Sequence, residues 1–213
     1  MKLYFLLLAA ILPFSACKKN NSGTTNDPTA ILKNSVWTGD FNYTGKPAQP
    51  VSINFLDGGG GLVNWYDLSG TTSGTWKVAN GAVTVTLSTG AGFTATVANG
   101  SSLSNIQNLA TNGFTLNNAA LNTLPDATLD NTTWTGTNVA LHFKTGNKLD
   151  MDLGPTGSTK YTGLSYTREA KTIRFNALPD YKWFLVLNSI PMMKGANVFL
   201  PDPTVYPYQV NKQ

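Results

Sequence analysis

The chain has 213 residues, carries a net charge of +4 and is only 12% charged. Its basic residues are scattered rather than set in a stripe among aromatics, which excludes nucleic acid as a partner. One histidine and one cysteine cannot build a His/Cys metal cluster or a disulfide framework, and nothing in the chain calls for a cofactor.

In chain order, Lys2 is followed by an apolar run from Leu3 to Leu12. That is far short of the roughly 20 residues a helix needs to cross a bilayer. A short apolar run behind one lysine, ending in small residues, predicts a secretory signal peptide over residues 1–16. The run ends Phe14-Ser15-Ala16-Cys17, which resembles the lipobox of bacterial lipoproteins. The resemblance implies cleavage before Cys17, lipid on its thiol and anchoring to a membrane. Lys18, Lys19 and a Ser/Thr/Asn-rich tether to residue 30 resemble lipoproteins of the Bacteroidetes type, which implies the cell envelope and the outer membrane, on either face.

Beyond the tether, Val, Thr and aromatics dominate and Glu169 is the sole glutamate, a composition that favours strands over helices. The chain then states one pattern twice. Residues 32–39 (Leu-Lys-Asn-Ser-Val-Trp-Thr-Gly) match 129–136 (Leu-Asp-Asn-Thr-Thr-Trp-Thr-Gly). Next, 51–55 matches 139–143, 62–66 matches 148–153, and 72–76 matches 161–166. Finally, 83–87 matches 172–175 and 93–97 matches 183–187. The first copy has an insertion near residues 43–50. Short runs alternating with period two and broken by Gly and Asn predict an antiparallel meander. Asn80-Gly81 is a two-residue hairpin signal, and residues 168–171 stand in its place as a longer turn. The glycines at 58–61 read as a hairpin turn, since no helix or Lys-Ser/Thr follows to make a phosphate loop. Residues 106–110 are expected to form one short helical turn.

The opening Trp-Thr-Gly, the Phe-ending strand, the Gly turn and the Gly-x-Trp strand resemble lipocalin-like (calycin-type) β-barrel domains. The resemblance implies that Trp37 and Trp134 plug the barrel bottoms. The expected fold is all-β, two tandem antiparallel meander repeats forming small lipocalin-like barrels or sandwiches. The expected limits are 31–122 for the first β domain and 123–200 for the second, with 201–213 as an extended tail along a sheet edge. One larger joint domain is the alternative.

No residue pattern predicts catalysis. His142 alternates with Leu141 and Phe143 and so points away from their face. Asp150 and Asp152 share one face of an amphipathic strand. The aromatics Trp65, Trp76, Tyr161, Tyr166 and Trp183 are the candidate ligand-binding residues, because exposed rings stack on sugars or line an apolar pocket. The expectation is a non-enzymatic envelope protein that binds a small apolar ligand or a glycan. The alternative is an accessory lipoprotein that binds another envelope protein.

Overall fold

The computed structural model describes residues 27–57, 61–109, 114–125, 129–189, 192–200 and 202–213. Cys17, the signal sequence and the glycines at 58–60 lie outside the described residues.

One helical turn, α1 (Pro28–Leu32), opens the described chain. Asp27 caps it by accepting from the Thr29 amide at 2.9 Å, and Pro28 supplies the preset backbone of a first helical position. The ordered domain therefore begins before residue 31, where the tether was expected to end. Eight strands follow: β1 (Ser35–Tyr43), β2 (Gln49–Leu56), β3 (Leu62–Asp67), β4 (Gly70–Ala79), β5 (Ala82–Leu87), β6 (Gly92–Ala98), β7 (Ser102–Asn108) and β8 (Phe114–Leu121). Eight more repeat the scheme: β9 (Thr132–Gly136), β10 (Val139–Lys144), β11 (Lys148–Leu153), β12 (Thr159–Glu169), β13 (Thr172–Leu178), β14 (Tyr181–Ser189), β15 (Met192–Phe199) and β16 (Asp202–Lys212).

Each set is an up-and-down antiparallel meander closed on itself, so the fold is two tandem barrels rather than sandwiches. β1 pairs with β8 and β16 pairs with β9. Closure leaves no edge strand to pair with another chain. The last segment is thus not a tail. Tyr206, Tyr208 and Val210 continue the period-two alternation, and β16 is the eighth strand of the second barrel.

Each barrel has its own core. Trp37, Phe41, Ile53, Phe55, Trp65, Val85 and Phe93 fill the first, and Trp134, Leu141, Phe143, Met151, Phe175 and Leu185 the second. Fully burying one such aliphatic or phenyl side chain contributes about 1.5–3 kcal/mol.

The repeated motif has the same physical explanation in both copies. Trp37 Nε1 donates to Ser35 Oγ at 2.8 Å, and Ser35 Oγ donates to the Leu32 carbonyl. Trp134 Nε1 donates to Thr132 Oγ1 at 3.0 Å, which donates to the Leu129 carbonyl. Asn34 (φ 54°) and Asn131 (φ 60°) take the left-handed backbone that asparagine tolerates. A Cβ on Gly136 would lie 2.1 Å from the Gln209 carbonyl of the closing strand, and one on Gly39 2.8 Å from that of Asn117. The glycines thus let each barrel shut.

Two turns differ from expectation. Residues 106–108 lie in β7, where Asn105 at φ 51° makes a bulge that disturbs the alternation. Residues 168–171 are no longer turn: Ala170 (φ 46°) and Lys171 (φ 65°) form the same two-residue hairpin as Asn80 (φ 52°) and Gly81 (φ 77°). The missing signal has a cause. Ala170 packs against the contact between the barrels, and its carbonyl accepts from Ser52 Oγ at 2.5 Å. A non-glycine residue in this region costs about 1–2 kcal/mol. Lys171→Gly is therefore expected to raise unfolding stability by about 0.5–1 kcal/mol, read as a higher urea midpoint. A lowered midpoint would mean that the lysine side chain outweighs the backbone relief.

The barrels meet through the outer faces of β2–β3 and β13–β15. Tyr66, Leu68, Phe184, Val186, Ala196 and Val198 form a third apolar cluster there. Arg174 crosses the seam, donating from Nη2 to the Asp67 and Gly70 carbonyls at 2.9 and 2.5 Å. Its guanidinium lies 4.9 Å from the Phe184 ring centre and 5.6 Å from that of Tyr66. Tyr66 donates to Glu169 at 2.8 Å, Lys194 pairs with Asp40 at 2.5 Å, and the Asn122 amide donates to the Leu187 carbonyl at 2.6 Å.

Candidate functional site

The mouth of the second barrel holds an open cup of ≈ 510 Å³. Its walls are Thr137, Asn138 and Val139 at the β9–β10 turn, Leu153 and Gly154 after β11, and Tyr181, Trp183, Asn197, Tyr206, Pro207 and Tyr208 from the last three strands.

Strand register builds the aromatic side of this cup. Trp183 pairs with Asn197, and Asn197 with Tyr206, so three adjacent strands present a Trp–Asn–Tyr row to the interior. The row below is Leu185, Gly195 and Tyr208. Gly195 has no side chain because the Tyr208 ring occupies that space: a Cβ there would lie 2.2 Å from Tyr208 Cζ. Trp183 stacks on Phe175 (5.7 Å, 11°) and meets Tyr208 edge-on (4.9 Å, 66°) and Tyr181 (5.3 Å, 60°). Its Nε1 is buried without a hydrogen-bond partner among the described residues. Asn197 beside it is only 7% exposed. Leaving buried polar groups unpaired is costly, so such groups are candidates for a ligand's donors and acceptors.

Tyr206, which borders the cup, is exposed, and so are Leu178, Phe199 and Leu200 of the same barrel. No ionic side chain lines the cup. Burial pushes the Tyr208 hydroxyl well above the ordinary tyrosine value of 10.0, with Tyr181 adding to it. Burial raises Tyr181 too, helped by Tyr161 and Tyr206. Both hydroxyls stay neutral at physiological pH. Tyrosines 43, 66 and 166 are also raised, each mainly by burial.

The sign of the pH dependence follows. A folded-state value above the unfolded one contributes stability that is whole below about pH 10 and is lost as pH rises through the folded value. The urea midpoint is expected to fall steeply above about pH 10, and Tyr208→Phe is expected to flatten that fall. An unchanged slope in Tyr208→Phe would place the linkage at the other tyrosines.

Of the five aromatics singled out in the sequence, Trp183 alone borders the cup. Trp65 lies in the first core, its Nε1 donating to Asp67 at 2.9 Å, and Trp76 is buried with Nε1 donating to the Leu56 carbonyl at 3.3 Å. Tyr166 is buried against Phe143, and Tyr161 packs half-buried on the second core. Asn197, Tyr206 and Tyr208 carry a signal the period-two count holds but composition does not: alternate positions on strands that must finish a barrel.

His142 lies on the outer wall of β9–β11. Its Nδ1 is 3.2 Å from Thr133 Oγ1 and its Nε2 3.5 Å from Asp152. Asp150 pairs with Lys144 and accepts from the Gly163 amide, which together hold its carboxyl below the usual range. This Thr–His–Asp chain sits in water on a convex surface, outside the shielded setting that strengthens such contacts in catalysis. Among the described residues no group of three His, Cys, Asp or Glu is placed to hold a metal ion.

No family model matches the chain, and no curated protein matches it. Among solved structures it is similar to the Cpx pathway activator NlpE from Escherichia coli, at 13% identity over 81% of this chain and 90% of that one, with a TM-score of 0.26. A superposition that loose says nothing of ligand or partner.

Proposed function

We infer that this is a lipid-anchored protein of the cell envelope that binds a small molecule in the cup of its second barrel, without catalysis. The anchor rests on the Phe14-Ser15-Ala16-Cys17 motif behind its short apolar run, with the lipid on Cys17 held in the outer membrane. The observation that carries the binding role is the cup at the mouth of the second barrel, where the exposed Tyr206 ends the row Trp183–Asn197–Tyr206 and the buried Trp183 Nε1 has no partner among the described residues. An eight-stranded barrel is just wide enough to hold one small ligand, and ≈ 510 Å³ falls within the range of about 300–1,000 Å³ for ligand pockets.

A second reading has one observation in its favour. Leu178, Phe199, Leu200 and Tyr206 are large apolar side chains left exposed on the second barrel, as on a surface that docks on another envelope protein.

The test is native mass spectrometry of the protein purified from its own envelope in mild detergent. A small-molecule adduct, lost on denaturation and absent from Tyr206→Ala, is expected. A bare protein mass together with a stoichiometric protein partner would replace the first reading with the second. Labelling with alkynyl palmitate, abolished in Cys17→Ser, checks the anchor; unlabelled wild-type protein would refute it.

A further inference from the structure

The class of ligand can be narrowed, on the premise that the cup is a binding site. We propose that it takes a neutral saccharide, with a sugar ring seated against Tyr206 and two of its hydroxyls on the Asn197 carboxamide.

Charge is the first argument. None of the residues lining the cup is ionic. The nearest basic residues on its strands, Lys182 and Lys194, alternate to the outer face, and Lys194 is held there by Asp40. A carboxylate, phosphate or ammonium group would lose its water in the cup and find no counter-charge, which is strongly unfavourable.

Polarity is the second, and it separates a sugar from a fatty chain. Asn197 faces the interior because Ala196 and Val198 face the seam between the barrels. Asn197 is only 7% exposed and borders the cup. It offers a donor and an acceptor side by side, which matches neighbouring hydroxyls that both donate and accept. Asn138 and Thr137 offer the same chemistry across the cup. An alkyl chain would cover these groups and satisfy none of them, so it would bind at a loss.

Shape is the third. Tyr206, 49% exposed, stands beside Asn197 on one cross-strand row with the buried Trp183 on its other side, and Tyr181 and Tyr208 extend the aromatic wall. A pyranose has apolar C–H faces and a polar equator of hydroxyls. Aromatic faces with a carboxamide between them meet both surfaces at once.

The experiment is isothermal titration of the full chain with neutral trisaccharides (maltotriose, cellotriose, mannotriose, galactotriose and chitotriose) and with laurate as the apolar probe. At least one trisaccharide is expected to bind. Asn197→Leu, which keeps the volume and removes the amide, is expected to weaken it roughly tenfold or more while leaving laurate no weaker. Tyr206→Ala, at the exposed rim where folding is not at stake, is expected to weaken the same sugar. Laurate binding that Tyr206→Ala removes, with no trisaccharide bound, would overturn the saccharide and leave the cup standing. Failure of both classes would overturn the cup as well. Sugar binding that neither variant changes would place the sugar elsewhere and overturn the proposal.

Discussion

Arg174→Ala is expected to destabilise the protein by about 2–4 kcal/mol and to separate the unfolding of the two barrels. The guanidinium reaches from the second barrel to the backbone of the first. Its removal leaves the Asp67 and Gly70 carbonyls without their donor at a contact of Tyr66, Leu68, Phe184 and Val186. It also takes a cation from between two rings. Burial holds the Arg174 pKa below the ordinary arginine value, while Asp67 and Glu169 push it back up, so the charge persists throughout the working pH range. Lysine at this position is expected to recover only part of the loss, since its ammonium lacks the planar guanidinium face that lies against the Phe184 and Tyr66 rings. Urea unfolding followed by tryptophan emission reads the result. A single transition within about 0.5 kcal/mol of wild type would show that water replaces these bonds at the seam without penalty.

Gly195→Ala is expected to cost about 1–3 kcal/mol and to abolish ligand binding. The new methyl would lie 2.2 Å from Tyr208 Cζ and 2.6 Å from its hydroxyl oxygen, and Trp183 stands edge-on beside the same ring. The ring must swing, and the open space beside it is the cup. Tyr208→Ala alone is expected to cost about 2 kcal/mol through lost packing. The two losses overlap, because removing the ring makes room for the methyl. A double-mutant cycle is therefore expected to show a coupling of about 1 kcal/mol or more. Additive costs would mean that the ring moves freely and that the close approach is not what keeps residue 195 a glycine.

Much of the fold was legible because closed meanders repeat simple rules. Each barrel strand buries alternate residues, and the Leu–Asn–Ser/Thr–Trp–Gly motif recurs because each barrel has the same buried, hydrogen-bonded tryptophan, the same left-handed residue and the same close approach at closure. The turn at Ala170-Lys171 was not legible, because its strain is offset by contacts more than a hundred residues away in sequence, such as Ser52 Oγ on the Ala170 carbonyl. Residues 106–108 misled because a bulge shifts the alternation by one.

The seam between the barrels did leave a trace. Trp183, Phe184, Leu185, Val186 and Leu187 are apolar without interruption, as in a strand buried on both faces, and Phe184 and Val186 are the two that meet the other barrel. Its partner on the first barrel left none, since Tyr66 beside Trp65 reads as one more aromatic strand residue.

The sequence by itself determined the all-β class, the duplication and the strand order, since local composition, alternation and turn chemistry each act within a few residues. Only the tertiary structure decided that the repeats close as barrels, that β16 completes the second, and that Trp183, Asn197 and Tyr206 stand on one row. Those outcomes depend on register between strands far apart in the chain, and register is set by how whole barrels pack and shut rather than by any short stretch of residues.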